Sequence, residues 1–101
     1  YEHLGLGNIG AIQGTAGQYK ESLATLLQAS EIAQVAGDKS QEAEYARQMG
    51  LAAFHLREGG QALMHLEHYQ ALCKEIGQTP DPRALALAKE IRTIYQKRSA
   101  S

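Results

Sequence analysis

The chain has 101 residues, of which 44% are hydrophobic and 21% are charged, with a formal net charge of -1. This composition is typical of a small globular domain and excludes disordered and fibrous chains. It indicates no nucleic-acid partner, and no membrane partner because no apolar run reaches the roughly 18 to 20 residues that span a bilayer. The single cysteine, Cys73, excludes an internal disulfide, so we expect a reducing, cytoplasmic location.

The residue types indicate an all-α fold, and the sequence repeats itself at a spacing of 40 residues. Val35 is the only valine, while Ala, Leu, Gln, Glu and Lys are plentiful, which favours helix over sheet. The repeat aligns three leucine or glycine pairs in particular, Gly10 with Gly50, Leu26 with Leu66 and Gly37 with Gly77. A fixed period of this length is typical of an α-α solenoid, in which two-helix units stack around a concave surface.

The first predicted hairpin contains a helix from about Glu2 to Thr15 and a helix from about Gln18 to Ala36. Gly37 is expected to end the second of these helices, because glycine readily adopts the positive φ of a C-cap. Ser40 is the predicted N-cap of the helix that follows. Residues 1–37 therefore form the first predicted repeat.

The second predicted hairpin, residues 38–77, contains a helix from about Gln41 to Arg57 and a helix from about Gly60 to Ile76. Gly77 is the predicted C-cap, and the two prolines at 80 and 82 prevent the helix from continuing. A fifth helix is predicted from about Pro82 to Gln96, as a cap with one polar face. Residues 1–96 thus form one domain of about five helices, and residues 97–101 a frayed tail.

Apolar stripes at helical spacing predict the buried faces of the later helices. The residues of these stripes are Leu23, Leu26, Leu27, Ile32 and Val35 in the second helix, Ala62, Leu63, Leu66, Tyr69, Leu72 and Ile76 in the fourth, and Ala84, Leu87, Ala88, Ile91 and Ile94 in the fifth. Cys73 aligns with Ala33 on the buried side, which predicts a small core residue rather than a nucleophile.

The chain resembles the tetratricopeptide repeat family in its pattern of small and apolar residues. The matching positions are Leu6, Ile9, Gly10, Gly17, Tyr19, Ser22, Leu26 and Ala29. In that family a small residue in helix A lets helix B approach closely, and Gly10 and Gly50 stand at that place here. In the second unit Arg57 and Gly59 stand where the pattern has the turn glycine and the aromatic, so this turn departs from the family.

The resemblance implies a right-handed superhelix that binds a protein or peptide partner without catalysis. The 40-residue unit is similar to the long variety of the repeat found in cell-polarity and ciliary scaffolds, which extends the expected location to cytoskeletal or ciliary structures. Two hairpins and a cap fall short of a stable array, so we expect further repeats or self-association. The chain begins at Tyr1, and we expect a fragment of a longer solenoid.

The resemblance also implies which residues face the groove, because helix A lines it in this family. The implied partner-binding residues are Asn8, Ala11, Glu44, Arg47, Gln48, Leu51, His55, Lys89 and Arg92, with Leu4 and Thr15 beside them. Polar members can hydrogen-bond a peptide, the cations can meet carboxylates and Leu51 can seat an apolar side chain. Gly7 and Ala11 stand where the carboxylate-clamp subset has lysine and asparagine, so an acidic C-terminus is not the expected ligand.

Two segments invite an enzymatic or metal-binding interpretation, and each has a simpler one. Gly5 to Gly10 matches the dinucleotide fingerprint GxGxxG, but no strand pattern flanks it. His65 and His68 share a helix face without the spacing of a zinc site, so a solvated face is favoured. No catalytic triad is present in the pattern. We therefore expect no cofactor and no metal.

Three functions remain as hypotheses. The leading one is a non-enzymatic scaffold that holds a partner segment in the groove within a larger assembly. The alternative is a regulatory domain that senses a peptide or ligand and changes curvature when it binds. A nucleotide-dependent enzyme using Gly5 to Gly10 is third.

Overall fold

The computed structural model describes the backbone of residues 2–100 and the side chains of residues 5–98. It contains five helices, which are α1 (Glu2–Thr15), α2 (Tyr19–Ala36), α3 (Lys39–His55), α4 (Gly59–Ile76) and α5 (Pro82–Ala100). No strand occurs in residues 2–100. The predicted all-α fold of five helices is therefore confirmed.

The helices pack in chain order, each against the next. Extensive contacts join α1 to α2, α2 to α3 and α3 to α4, while α5 contacts α4 and α1 also touches α3. The connections at 16–18, 37–38, 56–58 and 77–81 are short, so successive helices run antiparallel. The result is a stack of helical hairpins measuring 47 × 31 × 20 Å along its principal axes.

Glycine ends the second helix of each hairpin, as predicted. Gly37 and Gly77 have left-handed backbones with φ of 73° and 70°. Their amides donate to Gln34 O at 3.1 Å and to Lys74 O at 3.4 Å. These bonds satisfy carbonyls that the helix itself leaves without a partner, which is why the chain stops being helical at the same place in both units.

Two predicted boundaries were wrong. The N-cap of α3 is Asp38 rather than Ser40, because the Asp38 carboxylate accepts a hydrogen bond from the Gln41 amide at 3.3 Å and the helix begins two residues earlier. Residues 97–100 belong to α5 rather than to a frayed tail. Lys97 and Arg98 are good helix formers and their charges favour the C-terminal end of the helix dipole, which explains the extension.

The repeat is visible in how the hairpins close. A Cβ atom built on Gly10 would lie 2.7 Å from Leu26 Cγ, and one built on Gly50 would lie 2.8 Å from Leu66 Cγ. Both leucines are fully buried. The absent side chain at each glycine therefore creates the notch that a leucine of the next helix fills, in both hairpins alike.

The core consists of two adjoining clusters. One is centred on α4, where Leu66 and Cys73 are fully buried and pack with α3 and α5. The other joins α2 to α3 around Leu26 and Met49. The prediction that Cys73 is a core residue is confirmed.

Several stripe residues are not buried. Val35 is 92% exposed and Leu27 is 49% exposed. The buried line of α2 runs through Leu26, Ala29 and Ala33, and residues next to this line in sequence are rotated by about 100° around the helix. Ile76, the last residue of α4, and Ile94, in the C-terminal half of α5, are likewise exposed.

Candidate functional site

Both hairpins turn through the same backbone, and this sets the positions of α2 and α4. Gly17 has φ of 84° and its amide donates to Gly14 O at 3.1 Å. At the equivalent place Arg57 has φ of 62° and its amide donates to Phe54 O at 2.9 Å. The expected departure at Arg57 thus changes the residue and leaves the turn geometry intact.

A cleft of about 330 Å³, which we call the first cleft, lies between α1, α3 and the start of α2. Its lining combines polar, apolar and aromatic groups, namely Gly10, Ala11, Gly14, Thr15, Tyr19, Ser22, Arg47, Gln48, Leu51, Ala52 and His55. Its volume is at the lower end of the range of ligand pockets, so it can accept a few side chains of a partner.

The α1 wall of the first cleft is made largely of small residues. Ser22 is buried and its hydroxyl donates to Gly10 O at 2.7 Å, which ties α2 to α1. A Cβ atom on Gly14 would lie 3.3 Å from Ser22 Oγ. Close approach of the two helices leaves little side-chain bulk on this wall, and the cleft opens above it.

The α3 wall carries a hydrogen-bonded group of charged and polar residues. Arg47 Nε donates to Glu44 Oε2 at 3.3 Å, and a second, shorter contact joins Arg47 Nη2 to Glu44 Oε1. Gln48 Nε2 donates to the same Glu44 oxygen at 3.1 Å. On its other side Arg47 approaches Asp81 Oδ2 at 3.8 Å. Arg47 is therefore held between two carboxylates rather than free to turn.

The electrostatics of this wall keep Glu44 and Arg47 charged at neutral pH. Burial raises the pKa of Glu44, but hydrogen bonds from Arg47 and Gln48 outweigh burial and bring that pKa below its usual value of 4.5. The hydrogen bond to Glu44 raises the pKa of the Arg47 guanidinium. Asp81 is itself fixed, because its amide donates to the Tyr69 hydroxyl at 2.7 Å.

One acceptor in the α3 wall has no donor. Gln48 Oε1 is buried and makes no hydrogen bond among the described residues. The amide nitrogen of Gln48 is engaged by Glu44, which fixes the orientation of the side chain. A buried acceptor without a donor is unfavourable by about 1–3 kcal/mol, so the orientation of Gln48 lowers the stability of the fold by that order.

An aromatic pair closes one end of the first cleft. The rings of Tyr19 and His55 stack with centroids 4.6 Å apart and an interplanar angle of 7°. Phe54 meets His55 edge-on at 6.0 Å. The resemblance gives Tyr19 only as the aromatic that follows the turn glycine, and no local signal in the sequence indicates that it stacks on His55 of another hairpin.

Five of the predicted partner-binding residues lie together in the first cleft: Ala11, Arg47, Gln48, Leu51 and His55. Thr15 joins them, and Glu44 stands immediately behind Arg47. The structure thus gathers α1 and α3 positions on one surface. The side chain of Leu4 lies outside the described residues.

The other predicted residues lie apart from this cleft. Asn8 is exposed and does not line it. Arg92 pairs with Glu67 of α4 at 3.3 Å, and Lys89 is exposed on α5. The reason is the packing of α5, which buries Ile91 against the α4 cluster and turns the neighbouring Arg92 toward α4.

Comparisons with protein families, with curated proteins and with solved structures found no match to this chain. The site therefore has to be interpreted from its own geometry.

The segment that matches the dinucleotide fingerprint lies inside α1. Two of its three glycines have packing roles, since a Cβ atom on Gly7 would lie within 2.8 Å of the Tyr45 ring and Gly10 faces Leu26, whereas Gly5 has no atom within 4 Å of an added Cβ. Nothing in this helix provides the turn between a strand and a helix on which that fingerprint depends.

One of the two histidines of α4, His68, forms a contact between helices. His68 Nε2 lies 2.9 Å from Glu42 Oε2, and Gln34 Nε2 donates to the same oxygen at 3.0 Å, so a buried carboxylate joins α2, α3 and α4. Over the described residues, no group of three His, Cys, Asp or Glu side chains could hold a metal. Over the same residues, no helix has the length and apolar character needed to span a bilayer.

Proposed function

We propose that the chain is a non-enzymatic protein-interaction module that binds a segment of a partner protein in the first cleft. The observation that carries this proposal is the gathering of Arg47, Gln48, Leu51 and His55 with the small α1 wall around a volume of about 330 Å³. A cleft of mixed polar and apolar lining on a rigid helical support suits recognition of a short segment.

The contacts of the cleft define the chemistry of that segment. Arg47 already meets Glu44 and Asp81, so its remaining donors suit a backbone carbonyl better than a run of carboxylates. Leu51 seats an aliphatic side chain, and the exposed edge of the aromatic pair takes a flat one. The preferred ligand is thus an uncharged, mixed apolar segment.

We further propose that the module is a tetratricopeptide-type unit of a larger assembly, with the cytoplasmic, cytoskeletal or ciliary location that the resemblance implies. Ile9 and Ile12 of α1 are 50% and 68% exposed. Their repeat equivalents in α3, Met49 and Ala52, are buried. The apolar face of α1 is thus uncovered, whereas the equivalent face of α3 is buried. This difference supports further repeats or a second copy stacked against α1.

A capture experiment with the full-length protein tests the first cleft. Arg47→Glu and Leu51→Asp are expected to abolish binding of the captured partner while far-ultraviolet circular dichroism stays unchanged. Val35→Asp serves as the matched control, because Val35 is 92% exposed and lies outside the cleft. Binding that survives both cleft variants would overturn the proposal.

A second candidate function is a regulatory sensor, favoured by the link between the first cleft and the α4–α5 connection. Arg47 contacts Asp81, and Asp81 is anchored to Tyr69 of α4. A ligand that draws Arg47 away from Asp81 breaks a contact of the α4–α5 connection. The position of α5, and with it the shape of the stack, can then change. Small-angle scattering with and without a bound peptide tests this idea, and an unchanged radius of gyration would exclude it.

A further inference from the structure

A second cleft of about 420 Å³ lies where the α3–α4 turn faces the C-terminal half of α5. Its lining residues are Phe54, His55, Arg57, Gly59, Ile91, Ile94, Tyr95 and Arg98. None of the predicted partner-binding residues except His55 belongs to it. It therefore shares His55 with the first cleft and differs from it in every other lining residue.

The floor of the second cleft is apolar and open to solvent. Ile91 is buried at its base, whereas Phe54, Ile94 and Tyr95 are 42%, 46% and 39% exposed. Large apolar side chains scattered singly over a surface need no explanation, but here three of them converge on one concavity. Covering this apolar surface with another apolar group is favourable, because it removes both surfaces from water.

The two hairpin junctions differ in how they use their aromatic rings. At the first junction Tyr19 stacks on His55. At the second junction the equivalent residues are Gly59 and Tyr95, and Tyr95 approaches so closely that a Cβ atom on Gly59 would lie 3.2 Å from its hydroxyl. The second junction thus has one ring where the first has two, and Tyr95 stays partly uncovered.

Positive charge stands beside this apolar floor. Arg57 and Arg98 both line the cleft, and among the described side chains no acidic one does. Arg57 is the one residue other than glycine with a positive φ in the described chain, at a place where the first unit has Gly17. Arginine is strained in this conformation and glycine is not, so packing of the fold alone gives no reason for arginine here.

We propose that the second cleft binds an acidic amphipathic segment of a partner protein, with a bulky apolar side chain on Phe54, Ile94 and Tyr95 and a carboxylate on Arg57. Charge complementarity selects this occupant, because an apolar floor with a guanidinium at its rim matches a ligand of that composition. A second copy of the chain fits less well. Its exposed apolar face on α1 carries no acidic residue between Gly5 and Ala16.

This proposal is independent of the function assigned to the first cleft. The two ligands differ in charge, since the first cleft favours an uncharged segment and the second an acidic one. The residues that distinguish them also differ, Leu51 and Arg47 in one and Ile94 and Arg57 in the other. Failure of either proposal leaves the other testable.

The binding test uses a short synthetic helical peptide with leucine along one face and glutamate elsewhere, and a sibling peptide with lysine in place of glutamate. Titration into the isotopically labelled chain is expected to shift the amide resonances of Phe54, Gly59 and Tyr95. The lysine peptide is expected to bind at least about tenfold more weakly, because its charge opposes Arg57. Shifts confined to Ala11 and Leu51 would overturn the proposal by placing the peptide in the first cleft.

Variants separate binding from folding. Arg57→Gly is expected to keep or raise the melting temperature, since glycine suits the positive φ, and yet to weaken the glutamate peptide about tenfold. Ile94→Asp is expected to abolish binding. Arg83→Ala, an exposed arginine outside the cleft, serves as the matched control and should bind normally.

Two results would contradict the proposal. One is an Arg57→Gly variant that melts earlier and binds the peptide unchanged, which would make Arg57 a structural residue. The other is concentration-dependent self-association of the wild type in sedimentation experiments that Ile94→Asp removes, which would make a second copy the occupant.

Discussion

The α1–α2 and α3–α4 junctions share a backbone and differ in the side chains that they display. The first has Gly17 in its turn and a tyrosine that stacks on His55, next to a cleft with a polar wall. The second has Arg57 in its turn and a glycine that admits Tyr95, next to a cleft with an apolar floor. The repeat thus preserves helix packing while the clefts beside the two junctions differ.

The largest effect is expected where the two hairpins are most alike, at the glycine notches. Gly50→Val should reduce the free energy of unfolding by about 3 kcal/mol, because its side chain would enter the volume of the fully buried Leu66. Urea denaturation measures the change. Gly5→Ala is the matched control, since no atom lies within 4 Å of its added Cβ, and it should stabilise the helix by about 0.5–1 kcal/mol.

The same substitution at Gly10, the equivalent glycine of the first hairpin, compares how firmly α1 and α3 are packed. Gly10→Val meets Leu26 in the same way, but α1 is packed on one side only, because its Ile9 and Ile12 are exposed. We expect a smaller loss than at Gly50, since α1 can shift outward. An equal loss at both glycines would show that α1 is held as tightly as α3.

Exchanging the turn residues is expected to have an intermediate effect. Gly17→Arg should destabilise the chain by about 1 kcal/mol, because a residue with a Cβ is strained at φ of 84°. Arg57→Gly should stabilise it by somewhat less, since the added backbone freedom of glycine in the unfolded chain opposes the relief of strain. Chemical denaturation of both variants tests the claim that the two turns are the same. Changes of the same sign would refute it.

The smallest effect concerns the charged wall, which α3 has and α1 lacks. Because the folded-state pKa of Glu44 lies below 4.5, its ionised form stabilises the fold above that pH, and this contribution is lost as the pH falls through the folded-state pKa. Glu44→Gln should therefore be less sensitive to acid. The difference should stay under about 1 kcal/mol, because the Glu44 side chain is 41% exposed.

Stability measured from pH 7 down to about pH 3 in wild type and Glu44→Gln tests this expectation. Glu31→Gln is the matched control, an exposed glutamate of α2. Parallel pH profiles for wild type and Glu44→Gln would show that the Arg47–Glu44 contact makes no net contribution to the free energy of unfolding.

Local chemistry made part of this structure predictable. The backbone freedom of glycine predicts the helix ends at Gly37 and Gly77, and the resemblance implies that Gly10 and Gly50 allow close helix packing. These features depend on residues close in sequence or on the repeat itself.

The rest depends on contacts that only the folded chain brings together. Asp81 reaches Arg47 from the connection between α4 and α5, and Tyr19 reaches His55 from another hairpin. Arg57 shows a different limit, because sequence rules reserve its conformation for glycine, yet the surrounding helices impose it on arginine.

The first cleft as a recognition site is the central claim, and site-specific photo-crosslinking tests it most directly. A photoreactive residue is placed at Leu51 in the full-length protein, and at the exposed Val35 as control, before crosslinking in an extract of the source cells. We predict that position 51 crosslinks a defined segment of one partner, and that Arg47→Glu removes this product while helicity is unchanged. Equal products from both positions, or a product insensitive to Arg47→Glu, would contradict the account.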